Sequence, residues 1–251
     1  MLKLLPETAN LVAQLEQLSH RSVEFMRVDS LPVLASIKIA RNGAPYHILQ
    51  YRPSNSPLDY YIAQQAGIAL RMFEQPESQR FDFSSDGSGE KVLESAIRAS
   101  ANLSPADQEL LPMFVKSIHQ WALMQLRSIP IGMRVDAWLF ESFPNMREAI
   151  KEGLAEQQQM NAEALGMRVG KLTPPSNQFA PAAAYALFTD RLLGTSYSIP
   201  FKASGALEDG IELLVIFDQM QRTPEYDIQL VDAWARQLGM QGWYQWIPYQ
   251  P

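Results

Sequence analysis

The sequence predicts an α+β fold, in which a small antiparallel sheet packs on one helix and a mostly helical remainder follows. Apolar and polar residues alternate between residues 23 and 51, as they do in half-buried strands. From Leu58 the apolar spacing lengthens to that of an amphipathic helix, and helical spacing recurs up to residue 239. With 47% hydrophobic and 19% charged residues, the chain can bury a core, which argues against a disordered protein.

The predicted sheet has three strands, at residues 23–28, 32–40 and 46–51. Asn42 and Gly43 stand between the second and third strands. Both residue types accept the positive φ angles of a tight hairpin turn. The sequence therefore predicts an antiparallel meander.

One helix is predicted before these strands in the sequence and another directly after them. Residues 7–20 have leucines at helical spacing, and residues 58–74 carry an apolar stripe that begins just after Pro57. Residues 82–89 are expected to form a loop. The other expected elements are helices at 90–101, 105–128, 133–143, 145–165, 182–193, 208–221 and 225–239, and an extended connection at 171–181. The pattern predicts an α+β region over 1–170 and a helical C-terminal region over 171–251, packed together as one compact domain.

Composition excludes several classes of function. The 21 Lys and Arg are outnumbered by 27 Asp and Glu, for a net charge of −6, so the sequence predicts neither a nucleic-acid partner nor an anionic membrane partner. The chain has no cysteine, which excludes disulfides and thiolate metal sites. No apolar run reaches the ~18 residues of a membrane span, and the first residues do not resemble a secretion signal. We therefore expect a cytoplasmic protein.

No complete catalytic motif is present. No two of the three histidines, His20, His47 and His119, have the i, i+4 spacing of a zinc-protease helix. No Gly-x-Ser-x-Gly elbow occurs. The acidic residues of the helices are interpreted as solvated outer faces; they include Asp59, Asp82, Asp136, Glu141, Glu156 and Glu163. We assign no catalytic, cofactor-binding or metal-binding residue, and an unrecognised site of carboxylates with His47 stays open as an alternative.

Two aromatic patterns concern packing. Val-Asp-Ala-Trp occurs at 135–138 and again at 231–234, which we interpret as two helices that each bury a tryptophan. Near the end of the sequence, Trp243, Trp246 and Tyr249 follow one another at three-residue spacing. Such rings bury large apolar areas, so this segment is expected to fold back onto the protein or to form an interface in a larger assembly.

Residues 46–74 resemble part of a known family. An edge strand, a short loop and a helix with the pattern Ala-His-Glu-x-Gly-His-Ala-Leu are typical of the minimal zincins of the ImmA/IrrE-like metallopeptidase group. Here the helix reads Ala63-Gln64-Gln65-Ala66-Gly67-Ile68-Ala69-Leu70. The resemblance covers about 30 of the 251 residues. It rests on the scaffold and the internal glycine, because Gln64, Gln65 and Ile68 replace both histidine ligands and the glutamate base.

The resemblance implies a pseudo-peptidase. An amide is a poor zinc ligand, isoleucine cannot coordinate a metal, and Gln65 cannot accept a proton as a carboxylate does. His47, Gln64, Gln65 and Ile68 would then line a vestigial cleft between an edge strand and the helix. The implied function is a catalytically inactive binding or regulatory module with a protein or peptide partner. The alternatives are an enzyme with an unrecognised site and a structural subunit, including a homo-oligomer.

Overall fold

The chain has the predicted α+β class in a computed structural model that describes residues 2–53, 57–100 and 102–251. The α-helices in this part of the chain are α1 (Pro6–Ser19), α2 (Leu58–Phe73), α3 (Glu90–Ser100), α4 (Pro105–Ser142), α5 (Arg147–Ala164), α6 (Ala180–Leu193), α7 (Ile199–Ser204), α8 (Leu207–Gln219) and α9 (Asp227–Gln237). The strands are β1 (Ser22–Arg27), β2 (Ala35–Lys38), β3 (Tyr46–Tyr51), β4 (Phe81–Ser84) and β5 (Gln245–Pro248).

The three-stranded sheet is mixed, which corrects the expected antiparallel meander. Its order is β1-β3-β2, with β1 parallel and β2 antiparallel to β3. Residues 28–34 carry the chain across the end of β3. There Val28 N–H donates to the carbonyl oxygen of Tyr51 at 2.8 Å, and Arg52 N–H donates to that of Leu34 at 3.1 Å. These contacts place β1 on the far side of β3 from β2.

The second and third strands form the predicted hairpin. Asn42 and Gly43 have φ angles of 54° and 77°, the positive values that this turn requires. Ala44 N–H closes the turn on the carbonyl oxygen of Arg41 at 3.0 Å. The prediction for this pair of strands is confirmed.

The helix predicted at 58–74 is confirmed as α2. The two helices predicted at 105–128 and 133–143 instead form a single helix. The continuous helix α4 covers the segment predicted at 105–128 and, up to Ser142, the segment predicted at 133–143, and it contains Pro112 and Pro130. Locally Pro130 favours a break, because proline removes a hydrogen-bond donor from a helix interior. Leu126 and Met133 are fully buried on either side of Pro130, so core packing on both sides stabilises the helix through this position.

Three other expectations need correction. The segment 82–89 is not wholly a loop, because β4 covers its first residues and pairs with β5. The extended connection at 171–181 contains a short 3-10 helix, Ser176–Phe179. The short helix α7 was not expected.

The chain folds into two compact units. The first contains residues 1–82, 134–156 and 247–251, and the second contains residues 83–133 and 157–246. The expected boundary at residue 170 lies inside the second unit.

The aromatic residues near the end of the sequence divide between the units. In the first unit, Tyr249 is buried, stands edge-on to Phe73 and donates its hydroxyl to the carbonyl oxygen of Ala40 at 2.6 Å. In the second, Trp243 is buried beside Gly89, where a Cβ would lie 2.3 Å from the indole. Both rings therefore pack within the chain.

The Val-Asp-Ala-Trp repeat has unequal burial. Trp234 is fully buried, but Trp138 is 37% exposed, so the expectation of two buried tryptophans is wrong for one of them. Each aspartate of the repeat instead accepts a tyrosine hydroxyl: Tyr60 donates to Asp136 at 2.9 Å, and Tyr244 donates to Asp232 at 2.6 Å.

Within the described ranges, no helix combines the length and apolarity needed to cross a membrane.

Candidate functional site

The residues that carry the zincin resemblance lie on α2. The helix begins after Pro57, and Asp59 in its first turn accepts the backbone N–H of Leu5 at 2.6 Å. A Cβ at Gly67 would lie 2.6 Å from a methyl carbon of Val135. The glycine therefore allows α2 to approach α4 closely. Gln64, Gln65 and Ile68 are half-buried on this helix.

Gln64 belongs to a hydrogen-bonded group that we call the Asp136 cluster, formed by Tyr60, Gln64 and Asp136. The Asp136 carboxylate is fully buried. Its Oδ1 accepts the Tyr60 hydroxyl at 2.9 Å and the Gln64 side-chain amide at 2.9 Å, and this amide also lies 3.1 Å from the Tyr60 oxygen. Buried polar groups need such partners, because leaving one without a hydrogen bond costs about 1–3 kcal/mol. The cluster links the first turns of α2 to α4.

A second tyrosine extends the polar contacts towards α5. The Tyr61 hydroxyl lies 2.7 Å from the Glu156 carboxylate and 3.3 Å from the carbonyl oxygen of Gly153. A Cβ at Gly153 would lie 2.0 Å from the Tyr60 ring, so glycine is required for α5 to approach at this point. Both tyrosines at the start of α2 are thus held through their hydroxyls and their rings.

The Gln65 side chain bonds to the sheet, whereas the Gln64 side chain bonds to α4. Gln65 Oε1 accepts the backbone N–H of Ile37 on β2 at 3.2 Å. Because β2 pairs with β3 on one side only, this amide lies on the outer edge of the strand. Gln65 therefore closes part of the β2 edge, the position at which a cleft between edge strand and helix would admit a peptide.

Ile68 lies one turn beyond Gln64 and on the same side of α2. Its side chain is hydrocarbon and offers no donor or acceptor.

His47 lies on β3 and points to the end of α2. It is fully buried, and its ring centroid is 5.4 Å from that of Phe73. Nδ1 accepts the backbone N–H of Ala40 at 2.9 Å, so a neutral ring carries its proton on Nε2. Nε2 has no partner among the described residues. Burial lowers the pKa of His47 below its usual value, and the positive charge of Arg21 lowers it further.

The structure does not bring the four expected cleft residues together. Phe73 lies nine residues beyond Gln64, about 14 Å along the helix axis, so His47 and the Asp136 cluster lie towards opposite ends of α2. Gln64 faces α4, and Gln65 faces β2.

The residues in these positions do not fit zinc. Gln64 donates its amide to Asp136, and the oxygen of Gln65 is engaged by Ile37. Within residues 2–53, 57–100 and 102–251, no group of three or more His, Cys, Asp or Glu is arranged to hold a metal ion. The alternative of His47 with carboxylates stays open. Of the acidic residues, Asp136 binds the first turns of α2 and Asp82 pairs with Arg41, while the charge of Glu16 acts on His47.

The other prominent feature of the first unit is the outer edge of β1. Within the described chain, β1 pairs only with β3. Five of its six residues are exposed, including Phe25 at 36% and Met26 at 45%. The zincin resemblance places the edge strand directly before α2, but that strand is β3, which lies in the centre of the sheet. Sequence reasoning therefore did not single out β1 as the free edge.

Comparison with known proteins finds no matching family model, no matching curated protein and no matching solved structure.

Proposed function

We propose that the chain is a non-catalytic binding module that takes up an extended peptide segment as an added strand at the outer edge of β1. The observation that carries the proposal is this exposed edge, which has no strand partner in the described part of the chain. A free edge offers backbone donors and acceptors in the spacing that an extended peptide matches. The proposal keeps the binding role implied by the zincin resemblance but moves it away from the expected cleft.

The register identifies the amides that face outward. Val28 N–H donates to Tyr51 of β3, and successive amides of a strand point to alternate edges. The amides of Phe25 and Arg27 therefore point away from β3. The amide of Val23 points the same way and donates to Glu16 Oε1 at 2.8 Å, which supports this register.

The opposite edge of the sheet is the weaker candidate. At β2 the outward amide of Ile37 is already bonded to Gln65. A peptide at that edge would have to displace the glutamine side chain, whereas β1 requires no such displacement at Phe25 or Arg27.

The exposed side chains define the chemistry of the ligand. Phe25 and Met26 are consecutive and project from opposite faces of the strand. Two consecutive apolar residues of an added strand would cover them, one on each face. Glu24 shares the face of Met26 and is exposed, so a basic residue on that face of the peptide would complement it. The proposed ligand is an extended segment with two adjacent apolar residues and a nearby Lys or Arg.

A displayed library of random peptides tests the proposal, with the purified chain as bait. Selected peptides are then measured against Arg27→Pro and Arg27→Ala. Both variants remove the Arg27 side chain, but only proline removes the outward N–H, and edge strands tolerate proline at such a position. We expect Arg27→Pro to weaken binding about tenfold relative to Arg27→Ala, on the order of one hydrogen bond. Equal affinities would contradict strand addition at β1.

A further inference from the structure

Asn42 and Gly43 form the only Asn-Gly pair in the sequence. We propose that Asn42 is a deamidation site whose reaction is slowed by the backbone of residues 249–251. In this reaction the Gly43 amide nitrogen attacks Cγ of Asn42 and forms a five-membered succinimide, with loss of the side-chain nitrogen as ammonia. Water then opens the ring to aspartate or isoaspartate. No oxidant, metal or other co-reactant is needed.

The site is accessible and chemically suited to the reaction. Asn42 and Gly43 are both exposed at the tip of the β2–β3 hairpin. Glycine has no side chain to hinder the attacking nitrogen, and asparagine is a thermally labile residue.

The fold holds the attacking nitrogen in place. Gly43 N–H donates to the carbonyl oxygen of Pro251 at 3.2 Å, and Asn42 N–H donates to that of Gln250 at 3.2 Å. Attack requires the peptide unit between Asn42 and Gly43 to rotate towards Cγ, and this rotation breaks the Gly43 bond. The Asn42 bond holds the preceding peptide unit and so restrains the turn as a whole.

Tyr249 anchors the segment that supplies these carbonyl groups. It is buried, its N–H donates to the carbonyl oxygen of Arg80 at 2.9 Å, and its hydroxyl donates to that of Ala40 at 2.6 Å. Loosening Tyr249 should therefore release the turn and speed the reaction.

Deamidation would change this part of the molecule in two ways. It adds a negative charge next to Arg41, which pairs with Asp82. Isoaspartate also adds a methylene group to the backbone of a turn that depends on two positive φ angles. The product turn would no longer present both amides to residues 250 and 251.

The test follows conversion of Asn42 by peptide mapping and mass spectrometry during incubation of the full chain at 37 °C and mildly alkaline pH. We expect Tyr249→Ala to deamidate several-fold faster at Asn42 than the unchanged chain, with Tyr249→Phe in between because it keeps the ring. Asn42→Gln should abolish the conversion in that peptide.

A control separates local release from general unfolding. Leu154 is buried on α5 in the same unit, beside Gly153, which packs on the start of α2. Tyr249 packs on Phe73 at the other end of α2, so Leu154→Ala lowers stability at a distance from residues 249–251. The denaturant concentration is chosen separately for each variant so that both have the same unfolded fraction. Under these conditions Tyr249→Ala should still react faster. Equal rates in the two variants, or no acceleration in Tyr249→Ala, would overturn the proposal.

Discussion

The side-chain oxygen of Gln65 accepts the amide proton of Ile37 at 3.2 Å, which joins α2 to the outer edge of β2. In the zincin resemblance Gln65 occupies the position of the glutamate base. In the structure its oxygen is hydrogen-bonded to the sheet.

Replacing Gln65 tests this contact. Gln65→Leu removes the acceptor at similar volume, and we expect it to lower the free energy of unfolding by about 1 kcal/mol because the Ile37 amide loses its partner. Hydrogen exchange at Ile37 should become faster. Gln65→Glu keeps an oxygen acceptor and is the matched control. Equal exchange at Ile37 in the two variants would show that the bond does not form in solution.

The Asp136 cluster should contribute strongly to stability. Asp136→Ala removes the buried acceptor that the Tyr60 hydroxyl and the Gln64 amide share. We expect a loss of about 2–4 kcal/mol in chemical denaturation. Tyr60→Phe removes one donor and keeps the ring, so it should cost about 1 kcal/mol. A cost for Asp136→Ala no larger than that for Tyr60→Phe would contradict the account of the cluster.

Stability should fall as the pH drops below about 6.5, the ordinary pKa of histidine. Burial lowers the pKa values of His47 and His119 in the folded chain. The unfolded chain therefore binds protons at a higher pH than the folded chain, and acid favours unfolding. Urea denaturation between pH 5 and 8 measures this dependence.

His47→Asn is the matching variant for the first unit. It keeps an acceptor for the Ala40 N–H but does not titrate, so the variant should lose part of the pH dependence in this range. An unchanged dependence would show that His47 does not contribute to it.

The rings near the end of the sequence should stabilise the chain and not an assembly. Tyr249→Ala and Trp243→Ala are each expected to cost about 3 kcal/mol, as large-to-small changes at buried positions do. Ile247→Ala is the control, because Ile247 is 40% exposed, and it should cost much less. A loss of self-association without a loss of stability, measured by ultracentrifugation, would instead identify an interface.

Local patterns predicted the local parts of the fold. The apolar stripe after Pro57 predicted α2, and Asn42-Gly43 predicted the hairpin turn, because both depend on neighbouring residues. The parallel pairing of β1 with β3 was not predictable, since periodicity shows that Val23 is buried but not which strand lies beside it. Likewise, Pro130 indicates a helix break locally, whereas packing of Leu126 and Met133 decides in favour of a continuous helix.

The candidate site was predictable only in part. Gln64, Gln65 and Ile68 were identified from the zincin pattern, but nothing in that pattern shows that two adjacent glutamines bind different elements. Asp136 stood out only as part of the repeated Val-Asp-Ala-Trp motif. Its partners lie more than 70 positions earlier in the chain, on a helix that only the tertiary fold brings next to it.

Amide hydrogen exchange, measured by NMR with and without a selected peptide, tests the central claim most directly. Strand addition at β1 predicts slower exchange at the outward amides of Phe25 and Arg27 when the peptide is bound. Exchange at Ile37 should stay unchanged, because Gln65 already holds that amide. Protection that appears at Ile37, with none at Phe25 and Arg27, would place the peptide at the β2 edge and contradict the account.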